Sequence, residues 1–168
     1  MENYMKLEIA AKSVNEGFAR SAVAAFALSL SPSLSELSDI KTAVSEAVTN
    51  AIVHAYHGGD VQDKIEIECQ TFQTSTEGVL HIKITDFGCG ISDVEEALKP
   101  FFTTLASDER SGMGFTIMQT FSDGFSVTSE LGKGTCVTLT KRIGGGIARQ
   151  EEPYSSETVE RERVNAWW

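Results

Sequence analysis

The chain has 168 residues, with 14 Lys+Arg against 24 Asp+Glu and a formal net charge of −10. Its hydrophobic content of 41% suits one domain with a buried core, and no run of about 18 apolar residues offers a membrane span. Residues 142–168 hold four Arg and five Glu, so a net of −9 belongs to residues 1–141. An acidic body argues against broad binding to a phosphate backbone, which needs clustered Lys and Arg. It provides solubility and is compatible with a basic protein partner.

Residues 5–11 alternate in part and predict a first strand. Ser13 with Glu16 has the pattern of a capping box, and Val14, Phe18, Ala22, Phe26 and Leu30 then fall at four-residue steps. This predicts a helix with those five on its core side and Arg20 pointing away, ended by Pro32. Ser33 and Glu36 form a second capping box, opening a helix to about Tyr56. Leu37, Ile40, Val44, Val48 and Ala51 give it an apolar face, and His57-Gly-Gly-Asp60 stops it. Residues 64–72 and 79–85 read as two strands joined by a turn at 75–78. Ser92 with Glu95 predicts a short helical turn to Leu98, and after Pro100 a polar stretch runs to Gly114. Residues 115–121 read as a helix, 124–130 as a strand, 131–134 as a tight turn and 135–141 as a closing strand.

The order β-α-α-β-β-α-β-β sets two hairpins beside a pair of long helices. It predicts an α+β two-layer sandwich, a mixed but mostly antiparallel sheet with helices on one face. Residues 1–143 form the domain, and 144–168, rich in Gly, Glu, Arg and Ser, are expected to be a flexible tail ending in Trp167 and Trp168. Cys69, Cys89 and Cys136 show neither a CxxC pair nor a His at zinc spacing. They fit a reducing cytoplasm and small apolar filler roles. The first residues lack the basic and apolar segments of a secretion signal, so a cytoplasmic location is expected.

Four segments carry chemistry. On the second helix Thr42, Glu46, Asn50 and His54 recur every four residues, roughly opposite the apolar face. A carboxylate there can take a proton, and an amide oxygen can ligate a hard cation such as Mg²⁺. Asp86-Phe-Gly-Cys-Gly90 directly follows an apolar strand, where the Asp can accept from an exocyclic amine. Arg110-Ser-Gly-Met-Gly-Phe115 opens a helix whose free N–H groups favour an anion, yet it is neither a Walker loop nor a complete GxGxxG. Gly132-Lys-Gly-Thr135 is a hairpin turn with a hydroxyl at strand entry. Each segment alone also reads as an ordinary helix face, turn or helix entry.

In order and spacing, Glu46-x-x-x-Asn50, Asp86-x-Gly-x-Gly90, Gly112-x-Gly114 and Gly132-x-Gly-Thr135 match the N, G1, G2 and G3 boxes. The chain thereby resembles the ATPase superfamily of gyrase, histidine kinases and MutL, whose domain is the Bergerat fold. The segments 41–52, 109–118, Phe101-Phe-Thr-Thr104 and Asn15–Arg20 are closer still to the anti-sigma serine kinases of spore-forming bacteria. The resemblance covers roughly residues 5–141. It diverges at 57–63 and 105–108 and transfers nothing to 142–168.

The resemblance implies ATP and Mg²⁺ as cofactors. Asp86 would take the adenine amine, with Gly88, Gly90 and Thr135 around the base, and Asn50 would ligate Mg²⁺. Thr104, Ser111, Gly112, Met113, Gly114 and Phe115 would belong to a lid that cradles phosphate, with Arg110 stabilising charge on the γ-phosphate. Glu46 would be general base toward a serine hydroxyl, and Arg20 would contact a partner. The implied partners are a sporulation sigma factor, held inactive, and an anti-anti-sigma protein, phosphorylated on serine; a homodimer is implied as well. Direct nucleic-acid or membrane binding is not expected. Two other readings stay open: a general-stress anti-sigma kinase, and a nucleotide-gated binding module without catalysis. A histidine-kinase catalytic domain fits less well, because His54 and His57 end the N-box helix and His81 lies in a strand.

Overall fold

Alternation along the second strand dictates which face of the sheet is covered. Ile65, Ile67, Cys69 and Thr71 point one way and are buried, while Glu66, Glu68 and Gln70 point to solvent. The computed structural model describes residues 2–56, 63–99 and 112–144. The helix stop expected at 57–60, the lid segment through Ser111 and the tail beyond Gly144 lie outside the described residues.

Five strands, β1 (Glu2–Ala10), β2 (Lys64–Gln73), β3 (Gly78–Asp86), β4 (Gly124–Glu130) and β5 (Gly134–Ile143), form one sheet in the order β1-β2-β3-β5-β4. Every pairing is antiparallel, so the expected two-layer α+β architecture holds without a parallel pair. The register builds continuous apolar rows: Leu7, Ile67, Ile84, Val137 and Val127 form one, and Met5, Cys69, Ile82, Leu139 and Phe125 the next. On the opposite face Lys6, Lys64 and Lys83 pair with Glu8, Glu66 and Glu68. These exposed pairs contribute little each.

Helices α1 (Glu16–Ala27), α2 (Leu34–Asn50) and α4 (Gly114–Phe121) cover the apolar rows, with a short α3 (Val94–Ala97) after the β3 loop. The capping box at α2 is complete: Glu36 N–H donates to Ser33 Oγ, and Ser33 N–H donates to Glu36. Ile40, Val44, Val48 and Ala51 are buried, as the spacing predicts, with Ala43 and Ala47 buried beside them and Leu37 half-buried. At its far end α2 widens into a π-helical turn, Ala51–Ala55, which ends at Tyr56. Cys69 is a buried filler whose thiol is pushed up to about 12 by burial.

Three expectations fail, the first in part. Of the expected α1 stripe, Leu30 is buried and Phe26 packs against the core, but Val14 is 82% and Phe18 57% exposed. The buried side of the helix is Ala19, Val23, Ala24 and Ala27. The helix is apolar on more than one face, and its small residues fit the close approach to α2 better than Phe18 does. Ser13 does not cap α1: residues 13–15 form a 3₁₀ turn, Asn15 donates to Ala10 O, and Glu16 accepts from Ser45 Oγ. The cap of α3 is Asp93, whose carboxylate accepts from Glu96 N–H, in place of Ser92.

Met118 is fully buried at the centre of α4. Met118→Ala is expected to cost about 2–5 kcal/mol of unfolding free energy, read from the midpoint of a urea titration.

Candidate functional site

The apolar face of α2 fixes where its polar face points. With Ile40, Val44 and Val48 on the sheet, Glu46, Asn50 and His54 line a cavity of about 640 Å³. That volume lies in the usual range for a small-molecule site. The opposite wall comes from the end of β3 and the β4–β5 hairpin, through Asp86, Gly90, Leu131 and Thr135. The entry to α4 closes one end with Gly112, Met113, Gly114 and Phe115.

Asp86 occupies an inward-facing register position, continuing Leu80, Ile82 and Ile84, and is only 6% exposed. Its Oδ1 accepts from Gly88 N–H at 3.0 Å and Thr135 N–H at 3.1 Å. Both N–H groups converge on one oxygen, which leaves Oδ2 to accept from a ligand. Burial holds the carboxyl above its ordinary value, and the two N–H bonds pull it part of the way back. Ser129 ties the walls together: its Oγ accepts from Ile91 N–H, lies 2.9 Å from Gly134 O and also 2.9 Å from Thr135 Oγ1.

At the other end, a Cβ on Gly114 would sit 2.9–3.0 Å from the Asn50 amide atoms, so a side chain there would displace that amide. No side chain caps α4 at Met113, which leaves first-turn N–H groups for an anion at the positive end of the helix. The wall carries Glu46, Asp86, Asp93 and Glu96, and no Lys or Arg among the described residues. A polyanion here would need a cation. The described residues contain no cluster of three or more His, Cys, Asp or Glu able to hold a metal alone. One amide oxygen, Asn50, shared with ligand phosphates, is the donor set that suits Mg²⁺, which keeps most of its shell from water and phosphate.

The fold thus brings Glu46, Asn50, Asp86, Gly90, Gly112, Met113, Gly114, Phe115 and Thr135 to one cavity. Gly88 is not on the wall and acts from behind it, through its N–H on Asp86. Thr104, Arg110 and Ser111 lie outside the described residues. Arg20 stands apart on α1, exposed, with its guanidinium 3.3 Å from Glu16. His54, next on the Glu46–Asn50 face of α2 and signalled by the same four-residue spacing, lines the cavity as well. Cys89 and Leu131 also line the cavity; Cys89 sits inside the Asp-x-Gly-x-Gly segment, and Leu131 has no sequence signal beyond its turn.

Comparison with known proteins identifies the family and the fold. The family model described as "Histidine kinase-like ATPase domain" matches residues 9–141. An anti-sigma F factor of Caldanaerobacter subterraneus subsp. tengcongensis is 52% identical over 143 residues, covering 84% of this chain and 95% of that one. One from Geobacillus kaustophilus is 51% identical over 146 residues, covering 85% and 94%. Among solved structures, the RsbU and RsbW domains of a Mycobacterium tuberculosis protein superpose with a TM-score of 0.55 at 18% identity. The match covers 83% of this chain and 32% of that one, and it speaks to the fold alone.

A carboxyl whose folded pKa lies above its unfolded value binds more protons folded than unfolded. Its contribution to stability therefore falls as pH rises through that range. Asp86→Asn keeps an acceptor for Gly88 and Thr135 without the buried charge. It is expected to leave stability at pH 7 unchanged or raised. It should also flatten the pH dependence just above 3.8, the ordinary value, in thermal melts across the acid range.

Proposed function

The chain belongs to the histidine kinase-like ATPase domain family and stands within it among the anti-sigma F factors; on that premise we propose that it is an ATP-dependent protein serine kinase that binds and inhibits a sigma factor. The observation that carries the nucleotide part is Asp86. A buried carboxylate with one oxygen fixed by the chain's own N–H groups and the other left to the cavity suits an exocyclic amine such as that of adenine. Thr135 and Gly90 lie beside it, and the uncapped start of α4 suits the phosphates.

Mg²⁺, where bound, would supply positive charge to offset that of the phosphates, and Asn50 would hold it. Glu46 lies one helical turn from Asn50 on the same wall. It accepts the proton of the substrate serine as the hydroxyl oxygen bonds to the γ-phosphorus and the bond to the β–γ bridging oxygen breaks. ADP leaves with that electron pair, and phosphoserine remains on an anti-anti-sigma protein. Thr104, Arg110 and Ser111 complete the site in this reading, with Arg110 on the γ-phosphate. Positioning and charge stabilisation do most of the work in such a transfer.

The sigma factor is proposed to be a sporulation one, met in the cytoplasm. The exposed side of α1 around Arg20 is the proposed contact, and the exposed Val14 and Phe18 suit a second copy of the chain in a homodimer. A second reading, sequestration without catalysis, is favoured only if ATP binds and no partner gains phosphate.

Glu46→Gln is expected to lower serine phosphorylation at least a hundredfold while changing the ATP dissociation constant less than about threefold. Radiolabel transfer and calorimetry would read the two, and wild-type transfer by this variant would remove Glu46 from the chemistry. Arg20→Glu should weaken sigma-factor binding about tenfold or more with ATP affinity unaltered, measured by surface plasmon resonance.

A further inference from the structure

The peptide unit joining Asp86 to Phe87 is gripped at both ends. On its carbonyl side, a Cβ on Gly134 would lie 2.1 Å from Asp86 O, so the hairpin backbone presses directly against that oxygen. On its amide side, Phe87 N–H donates to Tyr56 Oη at 2.9 Å. Tyr56 Oη in turn donates to Lys64 O at 2.5 Å, at the start of β2, where Ile65 pairs with Asp86. The phenol is part-buried against the core, and burial pushes its pKa up, so it stays a neutral group with one proton to give and a lone pair to accept with.

Tyr56 closes the π-helical turn that follows Asn50. Helix ends leave carbonyls without intrahelical partners, and here the loop after β3 supplies them. Cys89 N–H donates to Ala55 O at 2.8 Å, and Cys89 Sγ lies 3.1 Å from His54 O. Gly88 packs so tightly there that a Cβ would fall 2.0 Å from Ala55 O. The end of α2 and the residues after Asp86 are therefore tied together through backbone contacts. Of these contacts only the Tyr56 hydroxyl reaches the peptide unit that carries Asp86.

We propose that Tyr56 is a positioning residue for nucleotide recognition: its hydroxyl holds the Asp86–Phe87 peptide so that the Asp86 carboxylate meets the 6-amino group of adenine, and it couples that anchor to the helix bearing Asn50. The π-helical turn serves this role by bringing Tyr56 round to the β3 loop; such turns recur at functional sites. Removing the hydroxyl leaves Phe87 N–H and Lys64 O without their partner, while the ring keeps its packing. Asp86, still held through Oδ1 by Gly88 and Thr135, loses the restraint on its own peptide unit. The loss falls on the contact with the amine and spares the phosphate end.

The proposal rests on the nucleotide reading of the cavity, and the test separates the two. Dissociation constants of ATP and of purine riboside triphosphate, which lacks the 6-amino group, are measured for the wild-type chain and Tyr56→Phe. Wild type should prefer ATP. Tyr56→Phe should lose roughly five- to tenfold in ATP affinity and keep its affinity for the analogue. Hydrogen exchange at the Phe87 amide of the nucleotide-free protein should quicken at least fivefold in the variant. Equal weakening of both ligands, an unchanged ATP preference, or unchanged Phe87 exchange overturns the positioning role. Absence of saturable ATP binding by wild type overturns the nucleotide reading itself.

Discussion

A carboxylate placed where an aliphatic side chain would otherwise pack is the constraint around which the site is arranged. Asp86 ends the inward row Leu80, Ile82 and Ile84, so its charge sits at the margin of the core. Burying it is unfavourable, and the structure offsets the cost with two backbone donors on one oxygen. Those donors come from separate parts of the chain, the loop after β3 and the start of β5. Neither the loop nor the hairpin can shift without exposing or orphaning the carboxylate. A residue unfavourable to the core thus serves to lock two loops that the core alone would leave loose.

The second fixed element is α2, which takes part in every layer of the molecule. Its apolar face forms the centre of the helical layer, its polar face carries Glu46, Asn50 and His54, and its last turn receives the β3 loop. Glycine is required where backbone meets this helix at Gly88 against Ala55, and Gly114 leaves room for the Asn50 amide. The distance between the two ends of the cavity is therefore set by the helix and not by the loops. This is the preorganisation a long, multiply charged ligand needs, because loops free to adjust would be ordered at the expense of affinity.

Legibility in the sequence followed the clarity of the patterns. α2 and β2–β3 could be placed because one face of each is apolar and the other polar, and the complete capping box at Ser33 marks the helix start. α1 misled because apolar residues surround it: the four-residue stripe through Val14 and Phe18 is real, yet the small-residue stripe through Ala19, Val23 and Ala27 wins the contact with α2. Periodicity identifies a stripe but cannot rank two stripes of similar hydrophobicity, and close helix packing favours the smaller. The caps at Ser13 and Ser92 followed the right rule at positions where a 3₁₀ turn and a neighbouring Asp change the local geometry. Motif spacing brought out Glu46, Asn50, Asp86 and Thr135, whose convergence needs the β5–β3 pairing that no local pattern contains. Ser129 and Tyr56 left no trace, because their importance lies wholly in what distant backbone they meet.

The acidity of the chain acquires a definite meaning in this frame. The cavity wall repeats it, with Glu46, Asp86, Asp93 and Glu96 and no Lys or Arg among the described residues. Carboxylates repel a triphosphate unless they are separated from it or neutralised. For a nucleotide bound as proposed, Asp86 would lie at the base end and the uncapped start of α4 with Asn50 at the other. Glu46 shares the α2 face there and leaves neutralisation to a cation. Anion recognition then falls to backbone N–H groups, whose partial charges cannot be titrated away and whose geometry is fixed by the fold. Under that proposal a divalent cation would offset the acidic wall, which by itself opposes phosphates. In the proposed reading the amine would meet a carboxylate and the phosphates would meet backbone N–H groups and a cation, so that an acidic chain could hold a polyanion without a basic wall.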